Sequence, residues 1–266
     1  MSNPLKVAAV QMDCVLSDVP YNLQVAGGLA GIAAEMGAVV VLVPELFDTG
    51  YRVEENDHEL ATPIPGPTTD YMTVICKKKK IFVIGTQIER ANNGLYDTAF
   101  LTGPEGLVGI YRKITLWGDE VNRFKTGDRY PVFDIGVCRI GLQICYEIGF
   151  PEGARILTMQ GADVLAYPSA FGASRQYAWD LASRARALEN GCYVIACNRF
   201  GREREETVFA ANSRIVNPRG EVLATSVGKN DVIMAEIDLD MVKRQREEIP
   251  YLKDIRRDLV CDYYGK

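Results

Sequence analysis

Apolar residues run along this chain in strand-length blocks separated by helix-like stretches. VAAVQM (7–12) reads as a strand and NLQVAGGLAGIAAEMG (22–37) as a helix. VVVLVPE (39–45) is a second strand, followed by a polar loop and a helix around TTDYMTVICKKKK (68–80). IFVIGTQIE (81–89) and LYDTAFLTG (95–103) flank ANNG, a hairpin signal, and GLVGIYRK (106–113) adds another strand. PVFDIG and CRIGLQICYE (131–147) read as a further pair. GFPEGARILTMQG predicts a helix ending at Gly161, and ADVLAYPSA a strand after it. RQYAWDLASRARALENG (175–191) has apolar residues at helical spacing and a closing glycine. CYVIACNRFG, ANSRIVNPRGEVLATS and DVIMAEIDLD supply the last strands, before a charged, partly helical tail.

Helices alternate with strands in both halves, with hairpins between. This pattern predicts an α/β fold with a mixed sheet or two sheets. A continuous run such as VVVLV suits a strand buried on both faces, so helices should cover the outside. No repeat of roughly 20–50 residues and no low-complexity linker interrupts the chain, so a single domain over residues 1–266 is expected.

Composition narrows the chemistry. The chain has 266 residues, 47% apolar and 24% charged, which is ordinary for a soluble globular protein. A net charge of -5 gives no support for a nucleic-acid surface. KKKK at 77–80 precedes an apolar strand and reads as a solvated turn or helix end. No stretch reaches the roughly 18 apolar residues that a membrane span requires, and the N-terminus lacks the pattern of a secretory leader. A cytoplasmic protein without membrane partners is expected. The seven cysteines, Cys14, Cys76, Cys138, Cys145, Cys192, Cys197 and Cys261, are scattered without CxxC spacing. Neither a disulfide framework nor a structural zinc site is expected, and most should be small buried hydrophobes. The one histidine, His58, sits in the polar stretch NDHEL, so a serine or cysteine hydrolase with a histidine base is disfavoured.

Three segments share one feature: an apolar, strand-like run ends in a charged or nucleophilic residue and a loop. VVVLVPELFDTGY carries Glu45, GIYRKITLWGDE carries Lys113 and Glu120, and RIGLQICYE carries Cys145. In α/β folds ligands bind beyond the carboxyl ends of strands, so three such ends could gather a carboxylate, an ammonium and a thiol around one site. Taken singly, each has a plain structural explanation: a strand cap, a surface charge or a core thiol.

Taken together, VPELF, YRKITLW and QICYEIGFPE resemble, in that order and spacing, the glutamate, lysine and cysteine motifs of the nitrilase superfamily of carbon–nitrogen hydrolases. The resemblance extends from VAAVQMD through SRARALENGCYVIACN and NSRIVNPRGEVLA to the RR-containing tail. It implies a four-layer αββα sandwich of two mixed sheets flanked by helices. It also implies Cys145 as nucleophile, Glu45 as base with a pKa raised by burial, and Lys113 as the stabiliser of thiolate and oxyanion. Glu120, in E-x6-G with Gly127, matches a second glutamate that orients the lysine and the substrate nitrogen. Such a site needs no metal and no cofactor. The implied reaction is hydrolysis of a small aliphatic carboxamide to acid and ammonia through a thioester. Nitrile hydrolysis, N-carbamoyl or ω-amide hydrolysis, and an inactive scaffold on the same fold are the alternatives. Many members carry CYDIRFPE where this chain has CYEIGFPE, so Gly149 replaces a common arginine and points toward a neutral amide. Arg175 could still bring a cation to the site, although a solvent-facing helix start also explains it. Tyr51, Trp117, Tyr146, Phe171 and Trp179 are the expected substrate-binding residues, Tyr146 also through its backbone N–H. The family forms dimers and larger even assemblies, and the tail over about 240–266 is expected to contribute to such contacts.

Overall fold

The computed structural model describes residues 4–259. In the first half run β1 (Leu5–Gln11), α1 (Val19–Glu35), β2 (Val40–Leu42), α2 (Asp57–Leu60), α3 (Pro67–Lys79), β3 (Phe82–Ala91), β4 (Gly94–Gly103) and β5 (Gly106–Arg112). A short α4 (Glu120–Arg123) leads into the second half: β6 (Val132–Asp134), β7 (Arg139–Leu142), α5 (Pro151–Met159), β8 (Val164–Ser169), α6 (Gln176–Asn190) and β9 (Tyr193–Asn198). The hairpin β10 (Arg202–Glu203) and β11 (Thr207–Val208) follows, then β12 (Arg214–Val216), β13 (Val222–Thr225), β14 (Asp231–Ile237), α7 (Leu239–Glu248) and α8 (Tyr251–Asp254).

Two six-stranded mixed sheets stack face to face, with strand orders β14-β1-β2-β3-β4-β5 and β13-β12-β9-β8-β7-β6. The halves repeat one plan. Each sheet has three parallel strands joined by helices (β1, β2, β3 and β7, β8, β9), an antiparallel strand on one side and two on the other. Helices α1 and α3 cover the first sheet, and α5 and α6 the second. The result is a four-layer αββα sandwich.

The period of two in β1 explains why VAAV is apolar throughout. Val7 and Ala9 enter the core between the sheets, while Ala8 and Val10 enter the core beneath α1 and α3. Helix ends follow local chemistry. The Asp18 carboxylate accepts from Tyr21 N–H at 3.2 Å at the start of α1, and Gly191, at φ 54°, closes α6. The lysine run occupies the last turn of α3 and its cap. The six described cysteines are all buried and unpaired, and Cys261 falls outside the described residues. No helix is long and apolar enough to cross a membrane among the described residues.

The structure departs from the expected strand at 138–147: β7 ends at Leu142, and Cys145–Gly149 forms a 3₁₀ turn. Within the tail, α7 docks on its own chain. Val242 is buried, and the Arg246 guanidinium donates to the Ala162 carbonyl at 2.7 Å. Residues 260–266 of the expected assembly segment lie outside the described residues.

The end of β5, which delivers Lys113, is clamped from both sides. Lys113 N–H donates to the Asp97 carbonyl at 2.9 Å, and Gly127 N–H donates to the Lys113 carbonyl at 2.8 Å. A Cβ at Gly127 would stand 2.2 Å from the Arg112 carbonyl oxygen, whereas one at Gly149 would meet nothing within 4 Å. Gly127→Ala is therefore expected to cost about 1–3 kcal/mol in urea unfolding, with Gly149→Ala within roughly 0.5 kcal/mol of the parent. Equal stability of the two variants would contradict the clamp.

Candidate active site

Each reactive side chain sits just past a strand end. Glu45 follows β2, and the chain turns at once through Leu46, at φ 45°. Lys113 follows β5. Cys145 begins the turn after β7 at φ 48°, a left-handed conformation that costs a non-glycine residue about 1–3 kcal/mol. The surroundings hold that turn in place. Ile144 N–H donates to Glu147 Oε2 at 2.7 Å, while Glu147 Oε1 accepts from Tyr111 OH at 2.6 Å and from the N–H groups of Ile114 and Thr115 at 2.9 and 3.0 Å. One buried carboxylate thus joins the turn that carries Cys145 to the segment that carries Lys113.

The Lys113 ammonium is fully buried. It lies 2.6 Å from Glu45 Oε1, 2.8 Å from Glu120 Oε1 and 3.3 Å from Asp97 Oδ2. Single oxygens of these three carboxylates lie within 4.8 Å of one another, close enough for a metal ion, but Lys113 Nζ is the cation they surround. The outer oxygens are also engaged. Glu45 Oε2 accepts from Ala170 N–H at 2.7 Å, Glu120 Oε2 from Trp117 N–H at 2.7 Å, and Glu120 Oε1 from Tyr51 OH at 2.7 Å.

Electrostatics revise the expected state of Glu45. Burial pushes its carboxyl up, but Lys113 and hydrogen bonds from Asp97, Lys113 and Cys145 outweigh burial, and the carboxyl lies below its ordinary value. The raised carboxyl is instead that of Asp97, pushed well up by burial and by its anionic neighbours Glu45 and Glu120. Its proton is the one shared with Glu45, while Asp97 Oδ1 has no hydrogen-bond partner among the described residues. Cys145 is raised well above its ordinary range by burial and by Glu45. The other buried cysteines are raised as well, Cys14, Cys76, Cys138 and Cys192 to about 12. Acidity therefore does not single out Cys145. Its electrostatic coupling to Glu45 and Lys113 and its opening to solvent space do.

That space is a cavity of about 470 Å³ reaching Cys145 and Glu120. Four of the five expected wall residues line it: Tyr51, Trp117, Tyr146 and Phe171. Trp117 and Tyr146 pack with ring centres 4.7 Å apart. Trp179 does not reach the cavity. It is wholly buried behind Phe171 at 5.4 Å, and its indole N–H donates to the Asn212 carbonyl at 2.8 Å. Gly149 and Arg175 also face the space. His58 is exposed on α2 and does not line the cavity. Asp97 and Glu147 were missed in the sequence, although an aspartate inside the apolar LYDTAFLTG and an acid two residues after Cys145 were the available signals.

The carbon–nitrogen hydrolase family model matches residues 6–247. A nitrilase of Pyrococcus abyssi is 38% identical, covering 98% of this chain and 99% of its own. Omega-amidase NIT2-A of Xenopus laevis is 38% identical, covering 90% of each chain. Among solved structures, Nit3 of Saccharomyces cerevisiae superposes with a TM-score of 0.88 at 26% identity, covering 96% of this chain and 97% of its own.

The sign of the pH dependence tests the cage. A lowered Glu45 carboxyl contributes stability that is present above its ordinary 4.5 and lost as pH falls through the lowered value. In Lys113→Met the cation is gone, and burial alone raises the remaining carboxyls. Their effect then reverses, and stability is lost as pH rises beyond their ordinary range. The variant should be less stable than the parent by about 3–5 kcal/mol at pH 7 in urea unfolding, with a narrower gap near pH 4.5. A gap of equal size at both pH values would rule out the cage described.

Proposed function

Because the chain belongs to the carbon–nitrogen hydrolase family, we propose that it hydrolyses a small carboxamide to acid and ammonia through a thioester on Cys145. The observation that carries this reading is a thiol open to the cavity, Cys145, electrostatically coupled to the buried Glu45–Lys113 pair.

The thiol is protonated at rest, so Glu45 must take its proton as Sγ attacks the amide carbon. Negative charge then develops on the carbonyl oxygen. The backbone N–H of Tyr146 is the proposed donor to it, and the Lys113 ammonium, whose hydrogen bonds go to Glu45, Asp97 and Glu120, stabilises it through its charge. Glu45 returns the proton to the amide nitrogen, the C–N bond breaks, and ammonia leaves a thioester. Glu45 next removes a proton from water, the hydroxide adds to the thioester carbon, and collapse releases the acid while the proton returns to Sγ. Glu120, held by Tyr51 and Trp117, keeps Lys113 oriented throughout.

Cys145→Ala should keep its free energy of unfolding in urea within roughly 0.5 kcal/mol of the parent and lose all ammonia release from a panel of short aliphatic amides. Retained ammonia release would sink the reading.

A second reading concerns the far end of the substrate. Two arginines at the cavity are neutralised, Arg52 by Glu54 at 2.5 Å and Arg123 by Asp57 at 2.7 Å. Arg175 has no ion pair among the described residues. It rests 4.5 Å over the Trp117 ring and touches the Ser174 hydroxyl at 3.4 Å. Open space at Gly149 leaves room beside it. A guanidinium so placed favours an amide carrying a carboxylate at its other end, an ω-amide, over a neutral one. Arg175→Leu should lower kcat/KM for succinamate by about 10- to 100-fold while leaving butyramide within about threefold. An unchanged ratio between the two substrates would return the preference to neutral amides.

A further inference from the structure

The segment Gly50–Arg52 crosses the cavity wall without a strand or helix to satisfy its backbone. The Gly50 N–H turns back to the Leu46 carbonyl at 2.9 Å, and the next two N–H groups are held by one side chain from 151 to 152 residues away. Glu203 accepts from Tyr51 N–H at 2.9 and 3.2 Å through its two oxygens, and from Arg52 N–H at 2.8 Å. Gly50 lets the carboxylate come close. It stands at φ 80°, and a Cβ there would lie 2.7 Å from Glu203 Oε1.

Glu203 is itself anchored. Its carboxylate pairs with Arg199, whose side chain is fully buried. Arg199 also donates to Asp13 Oδ1 and the Cys14 carbonyl, each at 3.0 Å, and its guanidinium lies 4.2 Å over the Phe209 ring. Phe209 meets the Tyr51 ring edge-on at 6.3 Å. The β10–β11 hairpin adds a second grip, since Thr207 Oγ1 accepts from the Arg52 guanidinium at 2.6 Å. On the opposite side, the Tyr51 carbonyl accepts from Arg123 at 2.9 Å. Every one of these contacts fixes where Tyr51 points, and its phenol is the donor that shares Glu120 Oε1 with Lys113.

We propose that Glu203 is a positioning residue for the active site. It holds the Tyr51 backbone so that the phenol donates to Glu120, and through Glu120 it sets the placement of the Lys113 ammonium beside Cys145. The proposal rests on the amidase reading for its kinetic readout and adds a component that lies outside the glutamate, lysine and cysteine motifs.

In Glu203→Gln the side chain keeps its shape, but its NH2 group faces backbone donors and cannot accept from them. The variant is expected to show kcat lowered about tenfold with KM within about twofold, because ground-state binding surfaces remain in place. The separating measurement is a double-mutant cycle with Tyr51→Phe. If Glu203 acts through the phenol, Glu203→Gln has little further effect on kcat once that hydroxyl is gone. Equal fold-losses in both backgrounds, or a lowered melting temperature with unchanged kcat, would overturn the proposal. Glu203→Asp, which keeps the charge, serves if the glutamine variant fails to fold, and it is expected to retain more kcat than any neutral replacement. The rate of Cys145 alkylation by iodoacetamide, which needs no turnover, is followed alongside. A parent that neither labels at Cys145 nor releases ammonia refutes the amidase reading, whereas an active parent with an unaffected Glu203→Gln variant refutes only the positioning role.

Discussion

Lys113 carries its ammonium into a space closed to water, and Glu45, Asp97 and Glu120 surround it. Burying such a charge is costly unless it is both paired and hydrogen-bonded. Three carboxylates around one ammonium create the opposite difficulty, an excess of negative charge. The protein meets it in two ways. Asp97 is held so that it favours its proton, and the remaining oxygens accept from Tyr51 OH and the N–H groups of Trp117 and Ala170. Glu45 is thereby kept ionised beside a thiol that burial keeps protonated. That pairing is the state a general base and a resting nucleophile require.

The cage constrains the rest of the fold because its parts come from both sheets. Glu45, Asp97 and Lys113 belong to the first sheet and its loops, whereas Cys145 and Ala170 follow strands of the second. The stacked sheets bring these loops together, and Glu147 and Glu203 tie them across the gap. Both are acids in nearly complete burial, accepting backbone N–H groups from segments that lack secondary structure. Loops that must hold reactive groups steady cannot rely on ladders, so buried side chains supply their hydrogen bonds. Behind Cys145 the cavity is thus closed by loops whose N–H groups are held by buried side chains, while its outer wall holds Arg175, Trp117 and the open side of Gly149.

Much of this was legible in the residues. Runs such as VAAV and VVVLV, apolar at every position, determined strands covered on both faces, the alternation with helices determined an α/β fold of one or two sheets, and the family resemblance implied the sandwich. The strand-end motifs named Glu45, Lys113 and Cys145, and the single histidine directed attention to a carboxylate base. Tertiary structure decided which carboxyl keeps the proton. That outcome depends on distances among four groups from separate segments, and it moved the raised pKa from Glu45 to Asp97. It also decided that β7 stops at Leu142, because the turn at Cys145 is held by Glu147 rather than by a neighbouring strand. Trp179, an aromatic on an amphipathic helix, could face either core or cavity by its spacing alone, and packing behind Phe171 settled it. Glu203 sits in an ordinary charged stretch, GREREE, and only the approach of Gly50 across 153 positions gives it a role. Local pattern determines which faces are buried; the pairing of charges across loops is set by the packing of the two sheets.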